Sequence, residues 1–440
     1  MSAPVPFPPA DTALSDVVRI ARDLIRIDTS NYGSGRFEPE SVAADYVEAV
    51  LAGLGIDATR YERTPGRTNL VARWRGADPS LPALMLHAHL DVVPADPAAW
   101  TYPPFAGVIV DGMLWGRGAV DMKNYAAMIL AAVSRLVAEG FKPRSDIVLA
   151  FFADEEGGTE DGSDWLVDAH PEALAGVDTA IGEGGGYSVN VFGQRAYLMN
   201  TGEKGVLWLE LSARGQSGHG SLPAVDNPIL TLARAVSRIG EIEWPLVMTD
   251  TTATLLARLR ELAGADPEVT PEQLALVVGP SASRIRAGLR NVSNVTIVAG
   301  GYKENVVPET ATATVDLRFI PGCAAEAIAH VREVVGDDVE VRTLIELPAF
   351  EAPFAGRVIN QLQQIIAEVD PGAIILPHLI PGGTDAKPLR RIGIDGYGFI
   401  PLLLPDDFAF PRMFHGVDER VPLEALDFGE EVLRRLLQRS

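Results

Sequence analysis

Cysteine is almost missing: Cys323 is the only one in 440 residues, so no disulfide can form within the chain and nothing points to an oxidising compartment. Lysine is scarce too, found at positions 123, 142, 204, 303 and 387. Bases fall well short of acids, with 37 Lys+Arg against 59 Asp+Glu and a formal charge of −22. Such a field repels phosphate backbones and anionic bilayers, which excludes nucleic acid and membrane surfaces as partners. No apolar run approaches the roughly 18 residues of a membrane span. The N-terminus Met1-Ser2-Ala3-Pro4-Val5-Pro6 has neither the basic nor the apolar region of a secretory leader, so a soluble cytoplasmic protein is expected. No internal repeat or low-complexity tract is visible.

What is present is an ordinary globular composition, 47% hydrophobic and 22% charged, in a chain long enough for two domains. Apolar positions recur at helical spacing over 14–27, 40–54 and about 122–140. Short apolar runs at 69–74, 82–87 and 147–152 read as strands. Strand, helix, strand in that order implies a parallel sheet with helices on both faces. The pattern then changes to a strand at 205–212, a helix at 228–239, strands at 294–299 and 311–319, a helix at 324–335 and a strand at 339–345. That succession is the composition of a ferredoxin-like α+β sandwich. Residues 246–290 form a mostly helical excursion inside it, with no role apparent, and helices near 356–369 and 423–438 return to the larger domain. The division expected is 1–202 and 348–440 for one discontinuous α/β domain, with 203–347 inserted as a smaller one.

Chemistry-bearing residues gather at the ends of these elements. The run Leu84-Met85-Leu86 leads into His87-Ala88-His89-Leu90-Asp91, where residues 89 and 91 share a face, and the carboxylate could orient the imidazole of a metal-binding histidine. A satisfied core histidine fits that segment equally well. Gly116-Arg117-Gly118-Ala119-Val120-Asp121 begins as a dinucleotide-binding motif would, yet an aspartate stands where the third glycine belongs and would repel a pyrophosphate. At a strand-to-helix turn Asp121 could bridge two cations or merely cap a helix. Asp154-Glu155-Glu156 places three carboxylates after a buried strand, tolerable if one binds metal and another keeps a raised pKa for proton transfer, though a solvated acidic turn is an alternative. Glu183 lies in the glycine run Gly182-Glu183-Gly184-Gly185-Gly186, and His219 and His415 each follow short loops. Together His89, Asp121, Glu156, Glu183 and His415 supply ligands of the kinds zinc takes. Two ions sharing Asp121, about 3.5–4 Å apart, would make a two-metal hydrolytic site.

The ordered set His89-Leu90-Asp91-Val92-Val93-Pro94, Gly116-Arg117-Gly118 to Asp121-Met122-Lys123, Asp154-Glu155-Glu156-Gly157, Gly218-His219, Gly382-Gly383-Thr384-Asp385 and His415 resembles the M20 metallopeptidases over nearly the whole chain. That resemblance implies a mixed sheet with helices on both faces, an inserted lid and dimerisation domain, and two zinc ions per subunit, with cobalt or manganese as substitutes. It makes His89 and Glu183 ligands of one ion, Glu156 and His415 ligands of the other, and Asp121 the bridge. It also implies a cis Asp121-Met122 peptide, Asp91 behind the metal, Glu155 as general acid/base and His219 as oxyanion donor, often across a homodimer. Arg318 and Asn305 would lie near a substrate carboxylate, with Gly383 and Thr384 in a loop lining the substrate. Residues 291–322 look closest to the carboxypeptidase S and N-acyl-amino-acid hydrolase branch. One departure is Gly182-Glu183-Gly184 where several deacylase branches carry Glu-Pro, which leaves the substrate subclass open.

The activity this implies is cleavage of an amide next to a free carboxylate in a small N-acyl amino acid or short peptide. Dipeptidase, succinyl-diaminopimelate desuccinylase or acetylornithine deacetylase activity is the alternative. A (β/α)₈-barrel amidohydrolase also opens its metal site with His-x-His, but the inserted sandwich pattern argues against it. A non-catalytic binding protein on the same fold should lack a base or a ligand, and none is missing.

Overall fold

The computed structural model describes residues 14–440 apart from 265 and 267, so the N-terminal reading of residues 1–6 lies outside the described residues. Two sheets dominate. The larger has ten strands among the described residues, and its spine is the set of buried apolar runs. Ile147–Phe152 is buried at every position, as a strand covered on both faces must be, and it pairs in parallel with Ala83–His89. The latter pairs in parallel with Val177–Gly182, and that strand with Asp395–Gly398. Thr68–Trp74 and Ala58–Glu62 add antiparallel strands at one edge, so the sheet is mixed, with the expected parallel order only at its centre. Beyond Asp395–Gly398 comes the long strand Gln194–Glu203, which carries Ile374–Ile380 as a parallel partner.

The helix Lys123–Ala138 is apolar nearly all round and is correspondingly buried, wedged between the helices Asp16–Ile25 and Leu423–Arg439. Its first turn is tied down by Lys123, whose ammonium donates to the carbonyls of Leu24 and Ile27. The helix start, and with it Asp121, is therefore fixed from the opposite face of the layer.

The smaller sheet is antiparallel, in the order Val292–Gly300, Thr310–Phe319, Gly205–Arg214, Val339–Leu347. Strand alternation decides its faces. In Thr310–Phe319 the odd positions Ala311, Ala313, Val315, Leu317 and Phe319 are buried, while the even positions are more open. The helices Pro228–Gly240 and Ala324–Val335 cover the buried face, in the expected strand-helix-strand-strand-helix-strand order.

The excursion 246–290 departs from the expectation that it belongs with the smaller sheet. Its helices Asp250–Ala263 and Ala282–Ala287 pack on Ile374–Ile380, and Leu255, Leu259, Ala282 and Ile285 join the main hydrophobic core. The physical reason is apolar area: Ile374–Ile380 pairs with a neighbour on one side only, and these helices cover a flank that water would otherwise reach. Among the described residues no helix is long and apolar enough to cross a membrane.

Candidate dinuclear metal centre

Parallel strands put their carboxyl ends at one edge, where ligands collect in open α/β sheets. His89 ends Ala83–His89 in register with Phe152, so the turn 153–157 begins beside it, and Glu183 follows the next strand, Val177–Gly182. Asp121 precedes the helix Lys123–Ala138, across the cis Asp121-Met122 peptide that the resemblance implied. His415 comes from a late loop, in the left-handed region at φ 56°.

These residues meet. His89 Nε2 lies 3.1 Å from Asp121 Oδ1 and 3.7 Å from Glu183 Oε2. His415 Nε2 lies 3.3 Å from the other oxygen, Asp121 Oδ2, and 3.0 Å from Glu156 Oε2. Asp121 thus presents one oxygen to each of two imidazole–carboxylate pairs. Glu155 Oε2 stands 4.0 Å from His89 Nε2.

The electrostatics are those of a cation site. Burial, then Asp121, pushes the Glu156 carboxyl up to about 7, and burial, then Glu183, raises Glu155 well above the usual range. Hydrogen bonds to Asp121 and Glu156 lift His415 to about 10. Burial alone would raise Asp121, but His415 and His89 outweigh it and keep the carboxyl ionised. Glu156 Oε1 and Glu183 Oε1 are buried without a hydrogen-bond partner among the described residues. Orphaned carboxylate oxygens crowded around two imidazoles are costly unless positive charge joins them, so the donor set fits metal ions.

One detail adds to the sequence reading. The nearest partner of His89 Nδ1 is the main-chain oxygen of Asp91 at 2.9 Å, while the Asp91 carboxylate is 3.5 Å away. That carboxylate is engaged elsewhere: it accepts the N–H groups of Glu155 and Glu156 at 3.1 and 3.0 Å and the side-chain amide of Asn31 at 2.8 Å. Asp91 therefore holds the acidic turn as well as the imidazole.

The remaining candidates sit apart. Thr384 is buried, its N–H and hydroxyl both donating to Glu203, while Gly383 beside it is exposed. His219 and Asn305 are exposed on the smaller domain, where His219 Nδ1 accepts the Ser221 hydroxyl at 2.8 Å and the Asn305 carbonyl accepts the Gly220 N–H. Among the described residues, no hydrogen bond or ion pair joins His219 to the five clustered residues. Arg318 lies on the open face of its strand, as the alternation required, but forks onto Asp316 at 2.7 and 3.1 Å, the pairing that competes with a substrate-binding role.

Several residues that matter were missed. Glu419, fully buried, accepts the N–H groups of Val120 and Asp121 and pairs with Arg117, so it clamps the turn that carries Asp121. Asn31 bridges Asp91 and Asp154, with Arg67 and Glu40 behind it. Asp385 accepts the Ser163 hydroxyl, and burial pushes its pKa to about 8. Asp385 stood inside the motif Gly382-Gly383-Thr384-Asp385, and an unassigned carboxylate there was its signal, while Glu419 lies four residues after His415. Asn31 left none.

Comparison with known proteins agrees with this picture. The model of peptidase family M20/M25/M40 matches residues 85–439. The N-fatty-acyl-amino acid synthase/hydrolase PM20D1 of Xenopus tropicalis is 28% identical, over 98% of this chain and 87% of that protein. The succinyl-diaminopimelate desuccinylase of Cereibacter sphaeroides is 29% identical, over 96% of this chain and 98% of that protein. The M20 family metallo-carboxypeptidase Sso-CP2 of Sulfolobus solfataricus has the same fold, with a TM-score of 0.73 at 17% identity, covering 97% of this chain and 99% of that one.

Proposed function

The chain belongs to peptidase family M20/M25/M40, and from that membership and the geometry of the site we propose a dinuclear zinc hydrolase that cleaves an amide beside a free carboxylate. N-acyl amino acids or short peptides are the substrates this reading favours. The observation that carries it is the Asp121 carboxylate, whose two oxygens face two separate imidazole–carboxylate pairs. His89, Asp121 and Glu183 would hold one ion and Asp121, Glu156 and His415 the other. Such ions, when bound, polarise a carbonyl and acidify a water.

The chain's own groups do the rest. Glu155, half-buried and raised in pKa, accepts a proton from the attacking water and returns it to the leaving nitrogen. Asp91 fixes Glu155 and Glu156 through their main-chain N–H groups. His219 would donate to the developing oxyanion. Because, among the described residues, no hydrogen bond or ion pair joins it to the cluster within one chain, the reading includes a homodimer that brings a partner's histidine to the site. The edge strand Val292–Gly300 supports this, with Ile297 and Val298 60 and 63% exposed.

The test has two parts. Metal analysis of purified protein should find two ions per chain, removed by chelation together with activity against a panel of N-acyl amino acids and dipeptides. Glu155→Gln should keep the metal and lose about 10²- to 10⁴-fold in kcat. Full turnover by metal-free protein, or loss of metal in Glu155→Gln, would overturn the assignment.

A further inference from the structure

The adjacent carboxylates of residues 154–156 repel one another, and the first stands in left-handed backbone at φ 59°, a conformation that a non-glycine residue keeps only where its surroundings hold it. One neutral side chain joins the groups that hold this turn. The amide nitrogen of buried Asn31 donates to Asp91 Oδ2 at 2.8 Å and to Asp154 Oδ1 at 3.0 Å, while its oxygen accepts from the Gly33 N–H at 3.1 Å and from the Arg67 guanidinium at 3.2 Å. Both amide hydrogens and both lone pairs are thus engaged. The main chain of Asn31 donates to the Val92 carbonyl at 2.8 Å, which pins the residue beside the segment that carries Asp91.

Arg67 decides which way the amide points. Its guanidinium is buried, pairs with Glu40, lies 3.3 Å from Asp154 and stacks on Phe37, 3.9 Å from the ring centroid. A cation there is matched by the amide oxygen, which leaves the NH₂ group for the two carboxylates; a reversed amide would set its oxygen against both of them. Gly157 closes the arrangement, because a Cβ at that position would lie 2.3 Å from Asp154 Oδ1 and 2.7 Å from Asn31 Nδ2. From Asp91 the link runs one bond further, to the N–H groups of Glu155 at 3.1 Å and Glu156 at 3.0 Å. In the proposed centre Glu156 serves one ion only. Among the described residues the Asn31 side chain makes no hydrogen bond to His89, Asp121 or Glu183, which would hold the other.

We propose that Asn31 is a positioning residue for the reaction: by bridging Asp91 and Asp154 it fixes the main chain of Glu155 and Glu156. The inference rests on the amidase reading above, which supplies the roles of those two glutamates, and adds that one half of the centre is governed from behind by a neutral amide. Removing that amide disturbs the Glu156 ion and the chemical step, and leaves the ion of His89 and Glu183 and the affinity for substrate nearly as they were.

The experiment compares wild type, Asn31→Leu, Asn31→Asp and Arg67→Lys, each checked for folding by circular dichroism. Zinc is titrated into the chelator-stripped proteins by calorimetry, and turnover is measured at saturating zinc on the N-acyl amino acid that the wild type cleaves best. The wild type should take up two ions. Asn31→Leu and Asn31→Asp keep the size of the side chain but lose both donors. They should weaken one ion by about 10- to 100-fold and the other by less than about threefold, and lose about 10- to 100-fold in kcat with KM within about threefold. Arg67→Lys, which keeps the charge and loses the fork, should fall between them and the wild type. If the leucine variant does not fold, Asn31→Asp carries the comparison. Equal weakening of both ions, a kcat that matches the wild type or falls only with the folded fraction, or failure of both Asn31 variants to fold would make Asn31 a structural residue and overturn the inference alone. A wild type that binds no zinc or cleaves no amide would overturn the amidase reading and the inference with it.

Discussion

Asp121 is held from several directions before it can hold anything itself. Glu419 takes its N–H and that of Val120, Lys123 pins the following helix to the carbonyls of Leu24 and Ile27, and the two imidazoles face its oxygens. Buried lysines recur where the two sheets join. Lys204 donates to the Arg290 carbonyl and Lys387 to the carbonyls of Lys204 and Pro348, so two ammonium groups tie together three of the segments that cross between the domains. Burial, with Arg318 adding to it, pushes Lys204 down to about 7. An unfolded lysine titrates near 10.4, so between about pH 7 and 10 the unfolded chain carries a proton that the folded chain lacks. Stability from this group therefore rises with pH across that window, by up to about 1.4 kcal/mol per unit, and is least below pH 7, where both states are charged. Denaturant unfolding at pH 7, 8 and 9 should give Lys204→Met a shallower pH dependence than the wild type by about that slope. Parallel pH profiles for the two proteins would show that water reaches the ammonium.

At the scale of elements, the helical excursion belongs energetically with the main core. Leu255 and Leu259 lie one turn apart on Asp250–Ala263, both buried in the same cluster as the helix Lys123–Ala138. Leu259→Ala should cost about 2–5 kcal/mol, read as a lower denaturation midpoint for the larger domain. A cost below about 1 kcal/mol would mean that the helix rides on the surface. Its ends were visible in the residues: Thr249 and Thr252 form a reciprocal cap, and Gly264 closes the helix at φ 55°. Which surface it would cover was not visible, because an amphipathic face names no partner. The strand Ile374–Ile380 was missed for a related reason. It holds Pro377, which argues against a strand in the middle of a sheet but is tolerated in one with a strand neighbour on one side only.

For the whole molecule, the open question is where His219 acts. Mixing His219→Ala with Glu155→Gln protein tests the proposed homodimer. With subunit exchange, one site in each mixed dimer regains both groups, and equal mixing should bring activity to about a quarter of the wild-type level, since half the dimers are mixed and each has one intact site. Exchange without recovery would place His219 in the site of its own chain. The acidic surface implied by the charge of −22 makes that exchange sensitive to salt, so the measurement belongs at moderate ionic strength.

Motif residues at strand ends were legible because period-2 and period-3.6 patterns locate the ends of elements, and parallel strands carry their loops to one edge. His89, Asp121, Glu156, Glu183 and His415 could thus be named together, and the inserted sandwich could be read from its alternating strands. Tertiary structure alone decided what lies between those residues: that Asp91 grips the 155–156 backbone, that Glu419 clamps Asp121 from 298 positions away, and that the excursion 246–290 packs on Ile374–Ile380. The reason is physical. A hydrogen bond or a stacked ring depends on a few ångströms between segments far apart in the chain, and local periodicity carries no information about that distance.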